Sequence, residues 1–265
     1  MKVAIAGLGA IGRAVAARLH GGIPGLALVA VAAAPAHRAR AWLDEQGITV
    51  PVVAADALPS LAEVVVEAVP AAAFESVVRP SIEAGRTLVV LSSGALLQRP
   101  HIVELAKARG ARLILPSGGL LGLDAVLGAA EGAIDKVHMV TRKPPQGLAG
   151  APHLVKNGIS VEGLKAPLCV FSGTAREAVA GFPANVNVVA TLSLAGIGPE
   201  RTTIEIWADP GVTRNCHRIS VESDAARFSV ETELLPSDNP KTSRIVALSV
   251  VAALRKLSAP LRIGT

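Results

Sequence analysis

The feature that most constrains the fold lies at the N-terminus, where an apolar segment runs directly into a glycine-rich turn. Residues 2–6 read Lys-Val-Ala-Ile-Ala, and residues 7–12 read Gly-Leu-Gly-Ala-Ile-Gly. The pattern of an amphipathic helix follows over residues 10–20. A strand, a G-x-G-x-x-G turn and a helix in this order are typical of a dinucleotide-binding βαβ unit. The competing interpretation is a purely structural strand–helix turn, and the context favours the binding interpretation.

Each glycine of that turn has its own physical task. Gly7 permits the tight turn, Gly9 lets a pyrophosphate approach the backbone, and Gly12 lets the helix pack closely on the strand. The free N–H groups at the start of the helix then attract the anion. We therefore predict a cofactor site that comprises Gly7, Gly9, Ala10, Ile11 and Gly12.

The segment after the second predicted strand bears on which dinucleotide is used. An acidic residue in this segment would bind the 2′-hydroxyl of the ribose, but residues 32–40 contain no acidic residue. They contain His37, Arg38 and Arg40, which favour a 2′-phosphate unless they only form a solvated basic face. We predict Arg38 as a cofactor-binding residue and either NAD or NADP as the cofactor, with use of NADP expected.

The pattern of polar and apolar residues differs between the two halves of the chain. Up to about residue 115, short apolar segments alternate with helical ones, which is typical of a parallel sheet covered on both faces. After about Asp124, strands alternate polar and apolar residues, as antiparallel strands with one solvated face do. These alternating segments are residues 202–208, 217–222 and 228–234.

These patterns predict an α/β protein with two domains. An N-terminal Rossmann domain with a doubly wound, mostly parallel sheet is expected over residues 1–123, and a second, α+β domain over 124–239. A long helical pattern over residues 239–257 predicts that a C-terminal segment, 240–265, returns to the first domain.

Composition excludes several classes of protein. With 51% apolar and 18% charged residues the chain is not disordered, and 2% aromatic residues argue against a base-stacking binder of nucleic acid. The net charge of +5 is spread along the chain and fits an anionic small molecule. Cys169 and Cys216 form no metal-binding pair, and no apolar run is long enough to span a membrane. We predict a cytoplasmic protein without a metal.

Five short stretches together carry a resemblance to a known family. They are the opening glycine turn, Ser-Gly-Ala-Leu at 93–96, Thr-Arg-Lys-Pro at 141–144, Asn-Val-Asn-Val-Val-Ala-Thr-Leu-Ser-Leu at 185–194 and Asn-Pro-Lys-Thr-Ser at 239–243. In this order and spacing, and with the separation of Asn187 from His217, they resemble the L-aspartate dehydrogenase family. The resemblance runs from Met1 nearly to the end of the chain.

The resemblance implies a Rossmann domain followed by an α+β domain, and a homodimer. It implies that L-aspartate is oxidised with NAD(P) to iminoaspartate, which hydrolyses to oxaloacetate and ammonia and can also feed NAD biosynthesis. His217 matches the catalytic histidine of the family and Asn187 a cofactor-contacting asparagine. Gly119 stands where the family usually has alanine, and it is expected to keep a backbone contact to the nicotinamide in a looser loop.

The chemistry is compatible with these residues. The imine needs water, and a neutral imidazole such as that of His217 suits a general base near neutral pH. For the substrate carboxylates, the sequence predicts a helix that begins at 239–243, with Asn239 as its N-cap. Its N–H groups and the side chains of Lys241, Thr242 and Ser243 would form a cradle, although a capped helix with a surface lysine explains the pattern equally well. Lys143 is a weaker candidate of the same kind.

Two other classes of function remain open at this point. One is a dehydrogenase or reductase of a related small acid, of the homoserine or dihydrodipicolinate type, which would keep the same scaffold. The other is a dinucleotide-binding sensor without catalysis, which would bind the cofactor without turnover. No recognition motif for nucleic acid is present, so a small-molecule substrate is the expected partner.

Overall fold

A computed structural model describes residues 1–183, 186–237 and 242–265. The chain divides into two compact units, of which the N-terminal unit comprises Met1–Gly118 with Val246–Ile263, and the C-terminal unit Gly119–Ile245 with Gly264–Thr265. The chain therefore changes units after Gly118, Ile245 and Ile263, whereas the sequence predicted changes after residues 123 and 239. Gly118 still belongs to the N-terminal unit because its N–H donates to Ser249 Oγ at 3.1 Å.

Strands and helices alternate along the N-terminal unit. Their bounds are β1 Lys2–Ala6, α1 Ala10–His20, β2 Ala27–Ala32, α2 Ala36–Glu45, α3 Leu58–Leu61, β3 Val64–Glu67, α4 Phe74–Glu83, β4 Thr87–Val90, α5 Ser93–Leu97, α6 Pro100–Arg109 and β5 Arg112–Ile114.

The five strands form one parallel sheet in the order β2-β1-β3-β4-β5. An isolated parallel bridge between Val31 and Val52 extends the sheet beyond β2. The interior strands β1, β3 and β4 are almost entirely buried, which explains their continuous apolar sequences. Because β1 has β2 on one side and β3 on the other, the strand order reverses there, and ligands of such sheets bind outside the carboxyl ends of the strands at that point.

The last helix, α11 (Arg244–Ser258), contributes to the core of the N-terminal unit. Ala247, Val250, Val251 and Leu254 pack in the same cluster as β1. The sequence placed the start of this helix at residue 239, and that prediction is wrong.

The chain folds back on itself just before α11. Ser237 donates its N–H to the Thr242 carbonyl at 3.0 Å, Ser243 bridges to Pro236, and the Arg244 N–H donates to the Leu235 carbonyl at 3.0 Å. This pairing places the start of the helix at Arg244. Asn239 and Pro240, the predicted cap and first residue, lie outside the described residues.

The C-terminal unit mixes strands and shorter helices. Their bounds are α7 Leu123–Ala130, β6 Ile134–Lys143, α8 Pro152–Lys156, β7 Leu168–Thr174, α9 Ala175–Gly181, α10 Asn187–Ala195, β8 Thr202–Ala208, β9 Asn215–Ser223 and β10 Arg227–Leu234. The sequence did not predict β7.

The sheet of this unit has the order β10-β9-β6-β8-β7, in which only the β6–β8 pair is parallel. Buried and more exposed residues alternate along β6 and β8. The predicted fold class, a parallel Rossmann-type sheet followed by a second α+β unit, is confirmed. Among the described residues, no helix has the length and apolarity that crossing a membrane requires.

Candidate active site

The glycine turn lies between β1 and α1, at the point where the strand order reverses. Gly7 has a φ of 97°, and a Cβ on it would lie 2.2 Å from the carbonyl oxygen of Ala68, while a Cβ on Gly12 would lie 1.9 Å from that of Gly7. A Cβ on Gly9 would meet nothing within 4 Å. Packing therefore explains the first and third glycines, whereas the second leaves open space beside the backbone.

The start of α1 suits an anion. Gly9 is its N-cap, no side chain caps it, and its first turn, which includes Ala10 and Ile11, has no acidic residue. Its N–H groups are oriented towards the open space beside Gly9, and the helix dipole favours negative charge there. The turn thus fits the pyrophosphate of a dinucleotide.

Arg38 lies in the first turn of α2. Its side chain is exposed, and that turn contains no acidic residue. The first turn of α2, which follows β2, therefore offers no carboxylate that could bind a ribose 2′-hydroxyl, as the sequence indicated.

Glu67, at the end of β3, was not singled out by the sequence, although an acidic residue in an apolar strand is a signal. It is fully buried, and its carboxylate accepts four hydrogen bonds, from the N–H groups of Val69, Leu91 and Ser92 and from Ser92 Oγ, at 2.9–3.1 Å. Burial raises the pKa of this carboxyl, and the hydrogen bonds limit the rise. Glu67 thus connects the segments that follow β3 and β4.

The C-terminal unit buries a row of polar side chains across its sheet. Thr141 on β6 is opposite His217 on β9, and His217 is opposite Thr232 on β10. Residues directly opposite on adjacent strands point to the same face, and all three are buried. Thr141 Oγ1 lies 2.8 Å from His217 Nδ1, which orients the imidazole.

Lys143 lies two residues after Thr141 on β6 and therefore shares that face. It is buried, and burial lowers the pKa of its ammonium group to about 8. Burial and then the positive charge of Lys143 lower the pKa of His217 to about 3. His217 is therefore neutral near pH 7, and its Nε2 has no hydrogen-bond partner among the described residues.

Gly119 and Asn187, the predicted contacts to the nicotinamide end, lie close together. A Cβ on buried Gly119 would be 3.6 Å from Val188 Cγ2 and 2.8 Å from Leu234 Cδ1. Asn187, which precedes Val188, is exposed and opens α10. Leu234 thus occupies the space that the methyl group of the family's usual alanine would need.

The predicted carboxylate cradle is only partly described. Asn239 and Lys241 lie outside the described residues. Thr242 and Ser243 belong to the turn before α11, where Thr242 Oγ1 lies 2.5 Å from Ser237 Oγ and Ser243 is buried. Both precede the helix, so the expectation that they lie in its first turn is wrong, and their contact with substrate stays a prediction.

No group of three or more His, Cys, Asp or Glu side chains among the described residues could hold a metal ion. The prediction of a metal-free site remains a prediction.

The parallel sheet with its glycine turn, together with a second unit that buries a neutral histidine, defines a two-domain nicotinamide-dependent dehydrogenase. Residues 7–116 match the family model described as homoserine dehydrogenase, NAD binding domain, and residues 124–257 match the model described as aspartate dehydrogenase, C-terminal. The chain belongs to the aspartate dehydrogenase family.

Individual relatives cover the whole chain. It is 51% identical over 265 residues to the L-aspartate dehydrogenase of Bradyrhizobium diazoefficiens, with 100% of this chain and 94% of the relative covered. It is 50% identical to L-aspartate dehydrogenase 3 of Bordetella bronchiseptica, with 100% and 98% covered. Among solved structures, the aspartate dehydrogenase of Thermotoga maritima is similar with a TM-score of 0.77 and 25% identity, and 100% and 99% of the two chains are covered.

Proposed function

We propose that this chain catalyses the NAD(P)-dependent oxidation of L-aspartate to iminoaspartate, which hydrolyses to oxaloacetate and ammonia, and the reverse reductive amination. The observation that carries the proposal is the buried row of polar side chains around His217. Thr141 Oγ1 lies within hydrogen-bond distance of the imidazole, and the positive charge of Lys143 lies close enough to lower its pKa. This row occurs in a chain 51% and 50% identical to enzymes named for this activity.

The N-terminal unit would hold the dinucleotide through Gly7, Gly9 and Gly12 and the N–H groups of Ala10 and Ile11. The bound nicotinamide would accept the hydride from Cα of aspartate. Gly119 and Asn187 are proposed to position the nicotinamide end, as the resemblance implies.

His217 is proposed as the general base. Its Nδ1 is held by Thr141, so its Nε2 is the atom that would take a proton from the water that attacks the imine. The low pKa in the free protein keeps the imidazole neutral, and Nε2 is free to accept a proton in the tautomer in which Nδ1–H donates to Thr141 Oγ1. A substrate carboxylate near Lys143 would offset the lysine charge and so raise the basicity of His217 when substrate is bound.

We propose further that Arg38 binds the 2′-phosphate of NADP, because it replaces the expected acidic residue in an exposed position. Arg38→Ala should weaken NADPH binding about tenfold or more and leave NADH binding nearly unchanged. Fluorescence titration with both dinucleotides measures this, and equal losses for the two would contradict the role of Arg38.

A homodimer is proposed from the family resemblance, and a location in the cytoplasm is proposed as well. Light scattering coupled to size exclusion measures the mass of the assembly, and a monomer at micromolar concentration would contradict the proposed homodimer.

The activity is tested by the absorbance of reduced nicotinamide, with L-aspartate and either NAD or NADP. His217→Ala should lower kcat by about a hundredfold or more while dinucleotide binding persists. The proposal fails if wild-type protein binds the dinucleotide but turns over neither L-aspartate nor oxaloacetate with ammonia. Homoserine serves as the alternative substrate, because the N-terminal unit matches a homoserine dehydrogenase model.

A further inference from the structure

Two hydroxyl groups in the C-terminal unit are buried without a hydrogen-bond partner among the described residues, Thr202 Oγ1 and Thr232 Oγ1. The two residues are 0% and 7% exposed. A buried polar group without a partner costs about 1–3 kcal/mol, so each needs a physical reason. The two hydroxyls have the same chemistry, but they occupy different places in the sheet.

Thr202 opens β8 opposite Val137, on the side of β6 away from the histidine. Thr232 is directly opposite His217, where paired Cβ atoms lie about 4.5–5.5 Å apart. Along its own strand the neighbours on the same face are Val230 and Leu234, which are apolar. The imidazole of His217 is thus the polar side chain adjacent to Thr232 on β9.

The positive charge of Lys143 determines which ligands can bind near the Thr232 hydroxyl. Lys143 lies on the same face, close enough to lower the pKa of His217. Its positive charge attracts a carboxylate and repels an ammonium group. A carboxylate oxygen is a pure acceptor, and it would give the Thr232 hydroxyl the acceptor that the protein does not supply.

We propose that Thr232 is a substrate-binding residue whose hydroxyl donates a hydrogen bond to a carboxylate oxygen of the amino dicarboxylate bound beside His217 and Lys143. This inference rests on the proposed function. The hydroxyl contributes to specificity because it is satisfied only when a carboxylate is present, so analogues without that group leave it unpaired.

The test compares Thr232→Val with the matched control Thr202→Val, since valine is nearly isosteric and removes an unpaired hydroxyl in both. Thr232→Val should raise KM for L-aspartate about tenfold or more, as expected for a hydrogen bond to a charged group, with a smaller change in kcat. Thr202→Val should leave both constants unchanged, and Thr232→Ser should restore the wild-type KM. Dinucleotide affinity should be unchanged in all three variants.

A second readout does not depend on turnover. Oxaloacetate and succinate should raise the Tm of wild-type protein and of Thr202→Val, and this shift should be lost in Thr232→Val. An unchanged KM or an unchanged ligand-induced shift in Thr232→Val overturns the inference, as does a loss confined to kcat. If wild-type protein does not oxidise L-aspartate, the proposed function fails. The Tm shift alone then tests the role of Thr232, which fails if no dicarboxylate gives a shift that depends on Thr232.

Discussion

Each unit buries polar side chains in its sheet, and the units differ in whether the protein supplies hydrogen-bond partners for those side chains. The carboxylate of Glu67 in the N-terminal unit accepts four hydrogen bonds from its own unit. In the C-terminal unit, His217 Nε2 and Thr232 Oγ1 have no partner among the described residues. A satisfied buried group supports the fold, whereas an unsatisfied one beside a cation is prepared for a ligand.

The two proposed sites also differ in the chemical groups that form them, which are backbone groups in one and side chains in the other. The proposed dinucleotide site uses the backbone of the glycine turn, and the proposed substrate site uses the side chains of Thr141, Lys143, His217 and Thr232. Substitutions in the glycine turn should therefore act sterically, and substitutions in the proposed substrate site should act through charge and hydrogen bonding.

The largest effect is expected at Gly12. In Gly12→Val, the added Cβ would lie 1.9 Å from a backbone oxygen, so the free energy of unfolding should fall by roughly 4 kcal/mol or more. The control Gly9→Ala meets open space, so its Tm should be unchanged while dinucleotide affinity falls about tenfold. Chemical denaturation and fluorescence titration measure the two effects. A Gly9→Ala protein that binds dinucleotide like wild type would contradict the proposed close approach of the pyrophosphate.

The second-largest effect on the free energy of unfolding is expected at Glu67. In Glu67→Gln one acceptor oxygen becomes an NH2 group that faces N–H donors, and unfolding should become easier by about 3 kcal/mol. The exposed Glu83→Gln on α4 is the control and should change little. If urea denaturation shows equal stability for the two variants, Glu67 does not have the structural role assigned to it.

Substitution of Lys143 should change the free energy of unfolding in the opposite direction. Burial lowers its pKa from 10.5 to about 8, which corresponds to a cost of roughly 3 kcal/mol at pH 7. Lys143→Met should therefore unfold less readily than wild type at pH 7 and yet bind L-aspartate poorly. Exposed Lys136→Met on the same strand is the control.

The pH dependence of stability gives a separate check on Lys143. Between pH 8 and 10.5 the unfolded chain holds a proton that the folded chain has lost, so wild-type stability should rise with pH there. Lys143→Met should lack that rise. A variant that keeps it would show that another group titrates in this range.

The smallest effect on stability is expected from His217, and it is seen when the pH is lowered. Its pKa falls from 6.5 to about 3 on folding, so between these values the unfolded chain binds a proton that the folded chain does not. Wild-type stability should fall as pH drops through this range, by about 2 kcal/mol at pH 5 from this residue. His217→Gln should flatten the profile of Tm against pH, whereas the exposed His20→Gln should not. Identical profiles for both variants would contradict burial of a neutral imidazole.

The difference between the units explains how much the sequence could predict. The glycine turn lies within six consecutive residues, so its geometry follows from local spacing, and the apolar strands of a parallel sheet are evident from composition. The row in the C-terminal unit joins residues 141, 217 and 232, which only strand pairing brings together. Without the family resemblance His217 is one of six histidines, and the residues alone gave no reason to choose Thr141 or Thr232.

The error at residue 239 has a different cause. Asn-Pro followed by an amphipathic pattern is a good local signal for a helix start. Ser237 pairs with Thr242 and Pro236 with Ser243, and this local pairing competes with the helix and places its start at Arg244. Local propensity fixed the end of the helix, within one residue of prediction at Ser258, but not its beginning.

Helix α11 has a consequence for how the chain is made. The apolar residues of β1 leave the ribosome long before Val250, Val251 and Leu254, which share their core. The N-terminal unit therefore cannot complete its core during synthesis until the C-terminal unit up to Ile245 and then α11 have emerged, although domains generally fold as units in the order of their synthesis. Until α11 has emerged, the apolar residues that it covers in this core lack that packing.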